Sequence, residues 1–433
     1  MNKLKQLLGF DPTTTTMKTE VIAGLTTFLT MTYVLAVNPT ILATTGMDKP
    51  ALFTSTALAS ALATILLAFM AKLPFAQAPS MGLNAFFAFT LCQALGLTWQ
   101  QSLAVLLVEG ILFLVITFLN IRDMILECIP TNLRYAISVG IGMFISFIGL
   151  KNAGIIVADP ATFVKLGTFN SVSILGIISI VVSSMLMIRR VKGALFYGII
   201  VSTLVGLPMG VTVIPDGWVP VSAPHSIEPI FCKFDFEGFF TLKTLMIIFS
   251  LLLVNIFDTL GTLIGLVEKV GIKGENGNIP GMKEAMMSDA IGTSAGAIMG
   301  CSTITTYVES ASGVAEGGRS GVTSLIVGML FLVSIFFAPI FLLIPVAATS
   351  GALVMVGVLM VDAFKKIDLD DISEAFPAYI TIITMVLCYS IADGICLGIM
   401  SYVLIKLLTG KRQQINLTLF ILSILFVLNY IVS

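Results

Sequence analysis

Five acidic side chains lie within or beside strongly apolar stretches of this chain: Glu109, Asp258, Asp289, Glu309 and Asp393. A charged group at the centre of a bilayer costs about 2.5–3.5 kcal/mol on insertion scales, so each needs a reason to be there. Asp258 follows the unbroken run 251–257, and Glu309 sits in a stretch rich in Ser and Thr. Carboxyl groups shielded from water take up protons near neutral pH, which is what proton coupling requires. An ionised carboxylate also accepts two hydrogen bonds from the N–H groups of a planar, amide-like ligand. Asp258 and Glu309 are therefore the leading functional candidates. Asp289 opens a predicted span and is balanced between a functional role and capping its own helix. Glu109, inside a span, and Asp393, at a predicted turn, read as structural. His225, the single histidine, sits in a proline-rich loop and reads as a solvated residue. Phe86 and Phe87 offer stacking surfaces, although in a chain with 30 Phe packing is the default reading of each.

The elements that position these residues must lie in a membrane. The chain has 433 residues, of which 57% are hydrophobic and 11% charged, whereas soluble proteins carry about 25% charged residues. So few charges cannot cover a water-facing surface, and the lipid bilayer is the expected solvent. A net charge of −1 leaves no basic surface for nucleic acid. The six cysteines, Cys128 among them, form no CxxC pair and read as small buried hydrophobes. With no metal cluster, nucleophile–base pair or phosphate loop, neither a cofactor, a metal nor an enzymatic activity is expected.

Taking Pro, Gly and charges as punctuation, the sequence predicts spans near 21–37, 52–70, 74–93, 102–121, 135–150, 172–188 and 194–210. A second set lies near 244–264, 284–299, 302–315, 320–338, 346–361, 376–391 and 394–409. With a cytoplasmic N-terminus, only Lys49, Lys151, Lys165, Lys233 and Lys243 of the 23 basic residues fall outside. Lys3, Lys5, Arg122, Arg189, Lys273, Lys365 and Arg412 are among those inside, a bias that the positive-inside rule predicts. Residues 1–210 thus form one repeat of seven segments, 211–241 an extracytoplasmic connecting loop, and 242–410 a second repeat of seven. An odd number per half inverts the second repeat. The apolar segment 411–433 is left over, either crossing or lying on the surface. The third and tenth segments are broken. Pro74 and Pro79 punctuate 74–82, where no helix interior would tolerate them, and 302–318 is polar with too short an apolar part to span. Paired interruptions in inverted halves mark the midplane site of a transporter, because extended backbone there must be buried in protein or line a cavity.

Taken in order, residues 24–33 with Asn38-Pro39, then 78–87, 255–261, 288–293 and 305–313, resemble the nucleobase–cation symporter family two. The likeness is specifically to its AzgA-like purine permease branch. That resemblance implies an all-α polytopic membrane protein of seven plus seven inverted segments, divided into core and gate domains. Its third and tenth segments would each hold a short strand followed by a half-helix. It carries the family's proton-coupling and substrate-contacting acid onto Asp258, and the group that grips the base's ring N–H groups onto Glu309. The next polar position falls on Ser310, the ninth-segment acid, also read as proton-coupling, on Asp289, and the ligand-side third-segment positions on Asn84, Ala85 and Phe86. Ser80 stands where many relatives have Gly, which is expected to perturb the strand-to-helix bend slightly. The implied activity is proton-coupled uptake of hypoxanthine, guanine or adenine across a bacterial-type cytoplasmic (inner) membrane. Expected partners are the purine nucleobase, H⁺ and the lipid bilayer, with a homodimer as the candidate assembly. An anion transporter of the same fold, for sulfate or bicarbonate, is the alternative; two acids at the site would repel such a ligand.

Overall fold

The computed structural model describes residues 6–119, 130–215, 217–237, 241–270 and 281–432. The basic residues Lys3, Lys5, Arg122 and Lys273, together with Cys128, lie outside the described residues. The first segment is made of two helices, Met17–Met31 and Val34–Leu42, and the second is Lys49–Met70. The third opens as a strand, Gln77–Pro79, turns into the short helix Met81–Ala85 and continues as a π-helix, Phe86–Ala94. Trp99–Phe118, Thr131–Asn152, Ser171–Ile188 and Ala194–Gly206 complete the first half. The second half runs Leu242–Val270, Met282–Ile298, a strand Ile304–Thr306 with the short helix Ser310–Ala315, and Gly321–Ser334 extended by Ala338–Leu342. Val346–Val361, Ile372–Leu387 and Ile391–Leu408 follow, and then a last helix, Leu417–Val432. This is the seven-plus-seven inverted arrangement, with one helix added.

Local chemistry explains where the boundaries fall and why some expectations shift. Thr16 accepts a hydrogen bond from the Thr19 N–H, so the first helix starts at Met17, four residues before the predicted span. Asp371 caps the thirteenth segment through the Ser373 N–H at 2.8 Å, moving it to Ile372–Leu387 from the predicted 376–391. Asp393 is not at a turn. It lies in the first turn of Ile391–Leu408, where the Ser390 hydroxyl accepts its N–H at 3.2 Å. Thr98 and Gln101 form a reciprocal capping box at the start of the fourth segment.

The helices pack in two groups. The first, second, fourth, eighth, ninth and eleventh segments pack among themselves together with the two broken segments, while the fifth, sixth, seventh, twelfth, thirteenth and fourteenth form the other body. Contacts near the ends of the segments agree with the alternation of faces. Lys192 pairs with Glu316, and Lys411 with Asp371 at 2.5 Å, all on the face predicted to be inside. Lys151 donates to the Tyr389 hydroxyl at 3.1 Å, and Trp218 to the Pro339 carbonyl at 3.2 Å, on the opposite face.

The two strands cross in the first group as an antiparallel pair, Gln77 opposite Thr306, Ala78 opposite Thr305 and Pro79 opposite Ile304. All six residues are buried. Their outer backbone groups are satisfied in matching ways from the preceding helices. The Thr64 hydroxyl of the second segment takes the Gln77 N–H and donates to its carbonyl, both at 2.9 Å. The Thr293 hydroxyl of the ninth does the same for Ile304, both at 3.1 Å. One threonine per repeat, at equivalent places, is the inverted symmetry written in hydrogen bonds.

Leu417–Val432 packs on Ile391–Leu408 and also touches Leu242–Val270, burying Leu419 and Phe426. Near its far end, the Tyr430 hydroxyl donates to Asp393 at 2.5 Å, at the start of the fourteenth segment. The last helix therefore runs back antiparallel along the whole of its neighbour.

Candidate functional site

Each strand delivers a polar residue to the start of a half-helix. Ser80, between Gln77–Pro79 and Met81–Ala85, donates its hydroxyl to Asp258 Oδ2 at 2.9 Å. Its φ of −65° is ordinary for any residue, so serine here does not disturb the bend, contrary to expectation; it supplies a ligand for the eighth-segment acid. Glu309, just before Ser310–Ala315, accepts a hydrogen bond from the Tyr33 hydroxyl at 2.8 Å. The two acids lie within electrostatic range of each other and of Tyr307. Both are only half-buried.

The other expected residues lie on the two broken segments and the ninth, and are sealed from solvent. Asn84, Ala85, Phe86, Asp289 and Ser310 are all buried. Ser310 Oγ accepts the Ala76 N–H at 3.0 Å, so its hydroxyl ties the tenth segment to the third. Asn84 Oδ1 accepts from the Ser302 hydroxyl, a second tie between the same two segments. Tyr307 donates its hydroxyl to the Pro79 carbonyl, and its N–H bonds the Ala76 carbonyl at 2.9 Å. Phe86 begins the π-helical stretch, a distortion that clusters at functional sites. Asp289 does not open its helix: it lies in the interior of Met282–Ile298, and Thr306 Oγ1 donates to its two oxygens at 3.2 and 3.3 Å. It cannot cap the N-terminus from there. Asp393 is remote, in the first turn of the fourteenth segment.

Glu109 is buried and accepts a hydrogen bond from Asn255 Nδ2 at 2.8 Å, joining the fourth segment to the eighth. Tyr33 and Ser80 were not anticipated as site residues. Tyr33 lies in the stretch 24–33 that carries the resemblance, but nothing in its spacing tells which carboxylate it reaches. Gln77 was missed too; its side chain donates to Ser288 at 2.8 Å and to the Ala285 carbonyl at 3.2 Å, anchoring the first strand on the ninth segment. The short helix Met81–Ala85 touches the fifth segment, so the crossing faces the second group of helices. The two half-buried carboxylates can accept N–H donors, and the N–H groups at the starts of the two short helices can meet acceptors, which suits a small polar ligand that carries both.

The model of a permease family matches residues 18–397. This chain belongs to that permease family. The resemblance to the nucleobase–cation symporters of family two is thereby borne out. Over 96% of its length this permease is 43% identical to the adenine permease AdeP of Escherichia coli, covering 93% of that protein. It is 39% identical to the guanine/hypoxanthine permease PbuO of Bacillus subtilis, over 95% of this chain and 96% of the relative. Among solved structures, it is similar to the transmembrane domain of the cyanobacterial bicarbonate transporter BicA, with a TM-score of 0.65 at 12% identity, covering 88% of this chain and 97% of that one. The murine anion transporter Slc26a9, in its inward-facing state, gives 0.64 at 11% identity over 94% of this chain and 72% of that one. At such identities the likeness establishes the fold, seven plus seven inverted segments. This permease is an integral membrane protein.

Proposed function

We propose that this permease takes up purine nucleobases, hypoxanthine, guanine or adenine, together with protons. The observation that carries the reading is the half-buried pair Glu309 and Asp258 at the strand crossing, Glu309 engaged by the Tyr33 hydroxyl and Asp258 by the hydroxyls of Ser80 and Thr305. Relatives named as adenine and guanine/hypoxanthine permeases, alike over nearly the full length, support the substrate class. Glu309 would accept two ring N–H groups of the base, with Tyr33 steadying one of its oxygens. Asp258 would alternate between holding a proton and supporting the ligand, with Asp289 nearby and held by the Thr306 hydroxyl. Asn84, Ala85 and Phe86 would line the third-segment side, and Ser310 would hold the two segments together. An anionic ligand is disfavoured because two carboxylates face it. The same reading puts the N-terminus in the cytoplasm, the protein in a bacterial-type inner membrane and a homodimer as the assembly.

Uptake of labelled hypoxanthine into liposomes carrying the purified protein, driven by an imposed proton gradient, tests this. Excess adenine or guanine should compete, an uncoupler should abolish accumulation, and Asp258→Asn should leave no gradient-driven uptake. If accumulation in Asp258→Asn still collapses with the uncoupler as in the wild type, the coupling role is wrong. Uptake of labelled sulfate that excess purine leaves unchanged would replace the substrate.

A further inference from the structure

Glu109 is fully buried, yet among the described residues only one of its two oxygens has a partner. Asn255 Nδ2 donates to Oε1 at 2.8 Å, while Glu109 Oε2 and Asn255 Oδ1 are both buried without a hydrogen bond. Two acceptors, one from each member of a bonded pair, are thus left over together. The fourth segment packs against the ninth, the eighth and the π-helical part of the third. The titratable and charged groups those elements bring are engaged elsewhere or distant along the helix. Lys283 donates to the Phe118 carbonyl at the far end of the fourth segment, Asp289 bonds Thr306, Asp258 bonds Ser80 and Cys92 bonds Ser102. Glu284 and Lys243 lie in the first turns of their helices. Among the described residues no cation pairs with Glu109.

An unpaired buried carboxylate and an orphaned amide oxygen each carry a penalty of kcal/mol size. One proton removes both. Placed on Glu109 Oε2, it donates to Asn255 Oδ1 while the Asn255 amide donates back to Oε1, closing a two-bond carboxylic acid–amide ring. Turning the Asn255 amide over exchanges its donor and acceptor but still calls for one proton on the carboxyl. We propose that Glu109 is held as the neutral acid and acts as a positioning residue, clamping the eighth segment three residues before Asp258. This rests on the transport reading for its consequence: the Glu109 proton stays in place while the coupled proton moves through Asp258.

Infrared spectroscopy of the purified protein at neutral pH should show the carbonyl stretch of a hydrogen-bonded carboxylic acid, shifted in D2O and missing in Glu109→Gln. Glutamine can form the same two-bond ring with Asn255. Glu109→Gln should therefore keep wild-type proton-to-purine stoichiometry and pH profile, whereas Glu109→Leu, which orphans the amide, should lose about tenfold or more in kcat/KM. A carboxylate band in place of the acid band overturns the proposal. So does a Glu109→Gln protein that binds purine but no longer accumulates it against a gradient, since that would make Glu109 a proton carrier. The infrared result does not depend on the substrate, so wild-type protein that fails to carry purine would sink the functional reading and leave this one standing.

Discussion

Tyr33 and Glu309 show how much a site depends on groups that carry no charge. The phenol donates to one carboxylate oxygen, so on the proposed reading its loss should weaken the grip on the base without removing it. A neutral hydrogen bond contributes about 0.5–1.5 kcal/mol, and one to a charged group about 1.5–3 kcal/mol. Tyr33→Phe should raise KM for purine by roughly threefold to tenfold with kcat little changed. Glu309→Gln should cost more than about tenfold in kcat/KM. Uptake kinetics of the two variants side by side give the comparison; equal losses would mean that Tyr33 does more than steady the acid. At this scale the candidate acids stood out in the sequence because charge is so rare in it. Their hydroxyl partners did not, since Ser, Thr and Tyr are common in the segments and their aim depends on which helices meet.

The broken segments are where element and function join. Pro74, Pro79 and the polar run around Glu309 make interruption legible, because a continuous helix there would leave backbone groups unbonded in lipid. That the two interruptions pair, with Gln77 against Thr306, needs both halves folded together. The half-helix Ser310–Ala315 sits close against the first segment. A Cβ on Gly313 would lie 2.1 Å from Thr27 Oγ1 and 2.7 Å from the Ala23 carbonyl oxygen. Backbone cannot yield as a side chain does, so Gly313→Ala should displace the half-helix that follows Glu309. Purine binding should fall while the detergent-solubilised protein still elutes as a monodisperse species; binding at the wild-type level would show that the first segment moves aside freely.

At the scale of the whole molecule, the packing of the last helix predicts that the two ends of the described chain lie on opposite faces. Leu417–Val432 is 16 residues long, about 24 Å at 1.5 Å per residue, and it returns alongside the fourteenth segment from Lys411 on one face to Asp393 on the other. A reporter active only in the cytoplasm should therefore be inactive when fused after the last helix and active when fused after residue 411. Activity at both positions would put the helix on the membrane surface. Apolar content alone suits either place for a 16-residue helix; the bond from Tyr430 to Asp393 is what favours a crossing.

The amino-acid sequence by itself determined the solvent of this protein, the count of its fourteen segments, and the few acids worth testing. All three follow from the cost of charge and of unbonded backbone in lipid, which is a property of each stretch separately. Only the tertiary structure decided that Ser80 holds Asp258, that Tyr33 holds Glu309 and that Asp289 stands behind the crossing instead of capping a helix. It also paired Glu109 with Asn255, 146 residues further on. Hydrogen bonds between residues so far apart in the chain depend on how helices stack, and no local pattern encodes that.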